Sequence, residues 1–139
     1  MMRKPHWEKH LAEWHRVAET RPFLWGKHDC CLTACDAVLA ITGIDPAKDL
    51  RGLCDDRRGA IRVMRDYAGG GVEKTVAKAF AACGFGYVPV LFARRGDCGL
   101  VSTDDGPALA VCMGATWVAQ GKNGLVQKPL KEGLRAWRV

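Results

Sequence analysis

The hydrophobic pattern changes period once, near Phe85, and no other feature constrains the fold as tightly. Before that point apolar residues recur at helical spacing between Gly and Pro stops. After it they fall into short β-like runs separated by turn residues. Helices first and strands later predict an α+β fold, with N-terminal helices packed on a small antiparallel C-terminal sheet. At 139 residues one domain, 1–139, is expected, large enough for a core without staples. The balance of 48% hydrophobic and 26% charged residues excludes disordered and fibrous classes.

Residues 5–19 are predicted to be helical, with Pro5 in the first turn and Trp7, Leu11, Trp14 and Ala18 on one stripe. Phe23 to Asp29 reads as an aromatic loop. Asp29 is the expected N-cap of a second helix, 29–42, which is apolar nearly all round and therefore buried. Residues 44–56 read as a loop. Helices follow at 57–67, with Ile61, Met64 and Ala68 on one face, and at 72–83. The predicted strands are 88–92, 98–102, 108–113 and 116–119, with edge strands at 125–126 and 136–139.

The titratable residues are unevenly distributed. All four His (6, 10, 15 and 28) precede all seven Cys (30, 31, 35, 54, 83, 98 and 112), so Cys–His chemistry must join a late Cys to an early His. An odd number of Cys does not fit a complete disulfide framework, and the N-terminus lacks the apolar stretch of a Sec signal. Cys31 and Cys35 share a helix face, and His6 and His10 are spaced i, i+4. The irregular spacing of the other Cys favours burial over a metal site, and no metal or cofactor is expected. No run approaches the ~18 apolar residues of a membrane span. The net charge is +6, but the basic residues are scattered and no nucleic-acid motif is present.

Cys30, next to an N-cap Asp, stands where a helix N-terminus stabilises a thiolate. Pro22-Phe23-Leu24-Trp25-Gly26 and Asp29-Cys30 resemble the start of the NlpC-type papain-like cysteine peptidases. In that family an aromatic Trp-Gly segment precedes the nucleophile. Arg95-Gly96-Asp97 with Cys98-Gly99-Leu100-Val101 is similar to its Gly-Asp turn and strand. Ala108 to Gly114 is similar to the strand that carries its catalytic His.

The resemblance implies a papain-like fold with Cys30 in the nucleophile position. It also implies a missing base at Ala108 and a third polar position at Gln120. Phe23 replaces a Tyr, and Cys31 and Leu32 replace Ser and Gly. His28 and His15 would each have to reach Cys30 from the wrong side of a papain-like cleft. Cys30 is therefore read as a vestigial nucleophile. Phe23, Trp25, Asp29, Trp137 and Arg138 are candidate binding residues.

Asp45-Pro46, Arg51-Gly52 and Arg135-Ala136-Trp137-Arg138-Val139 resemble small NlpC-like proteins of tailed-bacteriophage and prophage tail tips. That resemblance implies a virion structural or assembly component, made in the host cytoplasm, with other tail-tip or baseplate hub proteins as partners. The alternative is an active cell-wall endopeptidase or amidase that uses Cys30 on peptidoglycan peptide. Trp7, Trp14, Trp117 and Trp137 are candidates for partner contact or, for most of them, internal packing, and the 135–139 tail is the segment expected to serve in docking or edge-strand pairing.

Overall fold

A computed structural model describes residues 3–139; Met1 and Met2, part of the N-terminal stretch read for a signal, lie outside the described residues. Four helices come first: α1 (Trp7–Thr20), α2 (Leu32–Thr42), α3 (Arg57–Ala68) and α4 (Val72–Ala82). The strands follow: β1 (Tyr87–Val88), β2 (Cys98–Thr103), β3 (Gly106–Cys112), β4 (Thr116–Gly121), β5 (Gly124–Pro129) and β6 (Arg135–Trp137). They form one antiparallel sheet in the order β1-β6-β2-β3-β4-β5. The α+β class and the helix-before-strand order agree with the sequence pattern.

The amphipathic stripe of α1 buries Leu11, Trp14 and Ala18 against α2. Trp14 Nε1 donates to the Thr33 carbonyl (2.8 Å), so the indole polar edge is satisfied inside the core. Around α2, Leu32 to Cys35, Ala37, Val38 and Ile41 are all buried. This central helix touches α1 on one side and β3 and β4 on the other. Gly43 closes it in the left-handed region (φ 79°), its N–H donating to the Leu39 carbonyl.

Several expectations are corrected. The run 88–92 is a strand only at its first residue: β1 ends at Val88, and Pro89 leads into a 3-10 turn, Val90–Phe92, that leaves Leu91 and Phe92 exposed. Ile61 faces solvent, and Ala60 is the buried residue of α3. The C-terminal strand is not an edge, because β6 lies between β1 and β2. Trp137 is 1% exposed and packs against Phe80 and Tyr87 (ring centroids 5.4 and 5.3 Å). Trp117 is also interior, its Nε1 donating to the Leu130 carbonyl. Trp14, Trp117 and Trp137 therefore spend their apolar surface on the core and are not free for a partner. Truncating a core Trp costs roughly 3–5 kcal/mol, so deleting 135–139 would damage the fold before it tested docking.

Both faces of the sheet are buried. Leu100, Leu109, Val111 and Val118 face the helices. Val101, Ala108, Ala110, Cys112, Trp117, Ala119 and Ala136 form a second cluster, joined by Cys30, Val88, Val90, Ala93 and Leu130.

Candidate functional site

The segment before α2 is built by Gly26 and Asp29. Leu24 and His28 exchange backbone hydrogen bonds (3.1 and 2.8 Å), closing a tight loop. Gly26 has φ 78°, and a Cβ there would stand 2.0 Å from the Cys54 carbonyl oxygen, so only glycine fits. Its own carbonyl accepts from Gly52 N–H. The buried Asp29 carboxylate accepts from Gly26 N–H through one oxygen and from Cys31 and Leu32 N–H through the other (3.0, 3.0 and 2.9 Å). Asp29 thus satisfies the N–H groups at the head of the helix, but α2 begins at Leu32, three residues later than predicted, and Cys31 holds the N-cap position. Cys30 lies in the turn just ahead of it, and its carbonyl accepts from Leu109 N–H of β3 (3.0 Å).

Cys30 sits between two small cavities. The first, about 40 Å³, is lined by Phe23, Trp25, Cys30, Gln120, Arg57 and Asp105, among others. The second, about 60 Å³ and mostly apolar, lies toward α3 and shares Trp25 and Cys30 with the first. The structure therefore brings together Phe23, Trp25 and Cys30 from the segment before α2 and Gln120 from β4. Asp29 lies behind them as a structural cap.

A hydrogen bond from the Cys31 thiol lowers the Cys30 pKa, against burial and the Asp29 charge. The same bond, with burial, pushes the Cys31 thiol up. The thiolate-favouring influence is thus the neighbouring thiol, whereas the sequence suggested the helix end. Gln120 is 1% exposed; its Nε2 donates to the Gly121 carbonyl, and its Oε1 has no partner.

Ala108 lies in the second cluster, against which Cys30 itself packs. Ala110 pairs with Ala119 and Val111 with Val118 across β3 and β4, and side chains alternate along each strand. Gln120 therefore shares the helix-facing side with Val118 and Leu109, while Ala108 turns into the second cluster. From β3 it is Pro107 that lines the Cys30 cavity. None of 107, 108 and 109 offers a titratable group. Among the described residues no His lines either cavity. Burial and then the Arg21 charge lower the pKa of His28, which pairs with Leu24 through its backbone. His15 approaches Glu19 on its own helix (3.4 Å).

The Asp45-Pro46 and Arg51-Gly52 motifs have a local structural explanation. Arg51 binds Asp45 (2.8 Å) and Asp36 (2.7 Å), and Arg21 binds Asp36 (3.0 Å). This chain of ion pairs fastens the 44–56 loop to α2. It holds Asp45 below the usual carboxylate range despite partial burial, chiefly through the Arg51 hydrogen bond.

A second polar node lies where the chain ends meet. Asp97 is fully buried, and its carboxylate accepts from Arg94 N–H, Val139 N–H, Arg138 Nε and Arg3 Nη2. Arg138 also donates to the Phe92 carbonyl, and Arg3 to the Val139 and Arg95 carbonyls. Arg138, read from sequence as a docking residue, is thus partly a structural clamp.

The family designated DUF6950, a domain of unknown function, matches residues 2–139. The chain belongs to this family. Neither the curated proteins nor the solved structures contain a match to it.

Proposed function

We propose that the protein is a non-catalytic structural or assembly component of a phage tail tip or baseplate, built on a degenerate NlpC-like papain fold. The fold supports this in its coarse form: a Cys-bearing turn at the head of a buried helix is docked on an antiparallel sheet. The observation that carries the non-catalytic reading is the cleft itself. It holds Cys30 and Gln120, but Pro107, Ala108 and Leu109 occupy the strand where a general base is required. Among the described residues no imidazole faces Cys30 to take the thiol proton or protonate a leaving amine.

The phage assignment rests on the sequence resemblance in the 22–52 and 135–139 segments. It implies tail-tip or baseplate hub proteins as partners and residence in the virion after assembly in the host cytoplasm.

The alternative, a peptidoglycan endopeptidase or amidase acting through Cys30, draws on two observations. The Cys30 thiol is shifted toward its thiolate, and the Gln120 Oε1 lone pairs are unused beside it. Digesting peptidoglycan fragments with the wild-type chain and with Cys30→Ala separates the two readings. The expected product profiles are identical, and cleavage lost in Cys30→Ala would overturn the non-catalytic reading.

A further inference from the structure

An arginine-lined basin lies over the Asp97 node, outside the Cys30 cleft. It encloses about 650 Å³ between Arg3, Arg94, Arg95 and Arg138, with Trp7 and Phe85 among its apolar walls. No acidic side chain lines it. Asp97 beneath it, paired with Arg3 and Arg138, offsets one of the four guanidinium charges.

The arginines fall into two pairs. Arg3 and Arg138 are held by Asp97 and backbone carbonyls, and Arg3 is stacked on Trp7 (4.2 Å to the ring centroid). Arg94 and Arg95 are exposed, and among the described residues their guanidinium groups have no hydrogen-bond or ion-pair partner. The anchored pair sets a fixed field while the free pair remains available to form forked bonds with an incoming anion. Beside the basin the chain exposes Leu91 and Phe92, at 66% and 69%, on the segment whose carbonyl clamps Arg138.

We propose that this basin docks an acidic peptide segment of a partner protein, its carboxylates on Arg94 and Arg95 and an apolar side chain against Leu91 and Phe92. The proposal rests on the assembly reading for its biology and names the chemistry of the partner. Charge complementarity favours an acidic occupant, and the adjoining apolar surface favours peptide over nucleic acid. A nucleic-acid strand would need an extended basic track with stacking faces, whereas these arginines converge on one concavity. The other arginine group, Arg57, Arg58, Arg62 and Arg65, lies along α3 with no aromatic wall.

A random decapeptide library panned on the full chain tests the proposal, with parallel panning on Arg94→Glu/Arg95→Glu and on Arg62→Glu/Arg65→Glu. Circular dichroism checks that each variant is folded. Recovered peptides are expected to combine Asp or Glu with Leu or Phe. They should bind the Arg94/Arg95 variant about tenfold more weakly, and more weakly again in high salt, with the α3 variant unaffected. Three outcomes overturn the proposal: no acidic enrichment, undiminished binding to the Arg94/Arg95 variant, or loss only in the α3 variant. So does displacement of the peptides by a single-stranded oligonucleotide that binds more tightly through Arg94 and Arg95. The peptidoglycan digestion is read independently, so Cys30-dependent cleavage would remove the assembly reading while leaving a measured peptide site in place.

Discussion

The cavity beside Cys30 offers about 40 Å³ and has an unsatisfied oxygen in its wall, whereas the basin over Asp97 offers about 650 Å³ and rests on a carboxylate with both oxygens engaged. The first region has a thiol, no histidine among the described residues of its lining, and little room. The second has no nucleophile, a rigid floor and free cationic groups. The contrast is between a half-buried thiol in a tight cavity and an open surface of oriented cations. Chemistry needs converging groups with matched proton affinities, and among the described residues no imidazole lines the Cys30 cavities. Docking needs an open surface whose charged groups are already oriented, and the Asp97 node supplies that orientation.

The largest expected effect comes from breaking the node. Asp97→Ala leaves Arg3 and Arg138 without their shared carboxylate and two backbone N–H groups without an acceptor. Removing one partner of a buried ion pair costs on the order of 3–5 kcal/mol. Chemical denaturation should show a midpoint shift of that size or outright unfolding. A change within about 0.5 kcal/mol, the range of ordinary surface substitutions, would mean that the basin floor is not the rigid element described.

The two regions also differ in how far the sequence reveals them. Helical periodicity located all four helices, and the Trp-Gly-x-x-Asp-Cys stretch pointed to the Cys30 turn because its contacts are local. Gly26, Asp29 and Cys31 lie within five residues of one another. The parity of β3 was not legible. Ala108-Leu109-Ala110-Val111-Cys112 is apolar throughout because both sheet faces are buried, so no alternation marks which residue faces Gln120. The 88–92 run has strand composition, and Pro89 was the one signal of the turn found there. The interior position of β6 depends on pairing with β1 and β2, which no local pattern encodes. The basin was missed for the same reason: Arg3, Arg94, Arg95 and Arg138 stand at the two ends and the middle of the chain, and the buried Asp97 gathers them.

A second expected effect sharpens the description of the cleft. The Cys31 thiol is the main group that lowers the Cys30 pKa; burial and Asp29 oppose it. Cys31→Ala removes that donor and leaves the opposing influences, so the Cys30 pKa should rise above the ordinary thiol value. The pH dependence of iodoacetamide labelling at Cys30, read on its tryptic peptide, gives the midpoint directly. An unchanged midpoint would return the cause to the helix end, where the sequence first placed it.

The smallest expected effect concerns His28 and decides whether any imidazole serves the cleft. Burial and the nearby Arg21 charge lower its pKa in the folded chain, with Asp36 opposing. The unfolded chain therefore binds the proton at higher pH than the folded one. Above the ordinary histidine pKa of about 6.5 both states are neutral and stability is unaffected; as pH falls through that value, the unfolded state is favoured and stability declines. His28→Gln should flatten the fall in melting temperature between neutral and mildly acidic pH. The same substitution should leave the Cys30 labelling profile unchanged, because His28 lines neither cavity that touches Cys30. A labelling midpoint that moved with His28 would make it a working partner of the thiol, and the division between a silent cleft and a binding basin would fail at its first term.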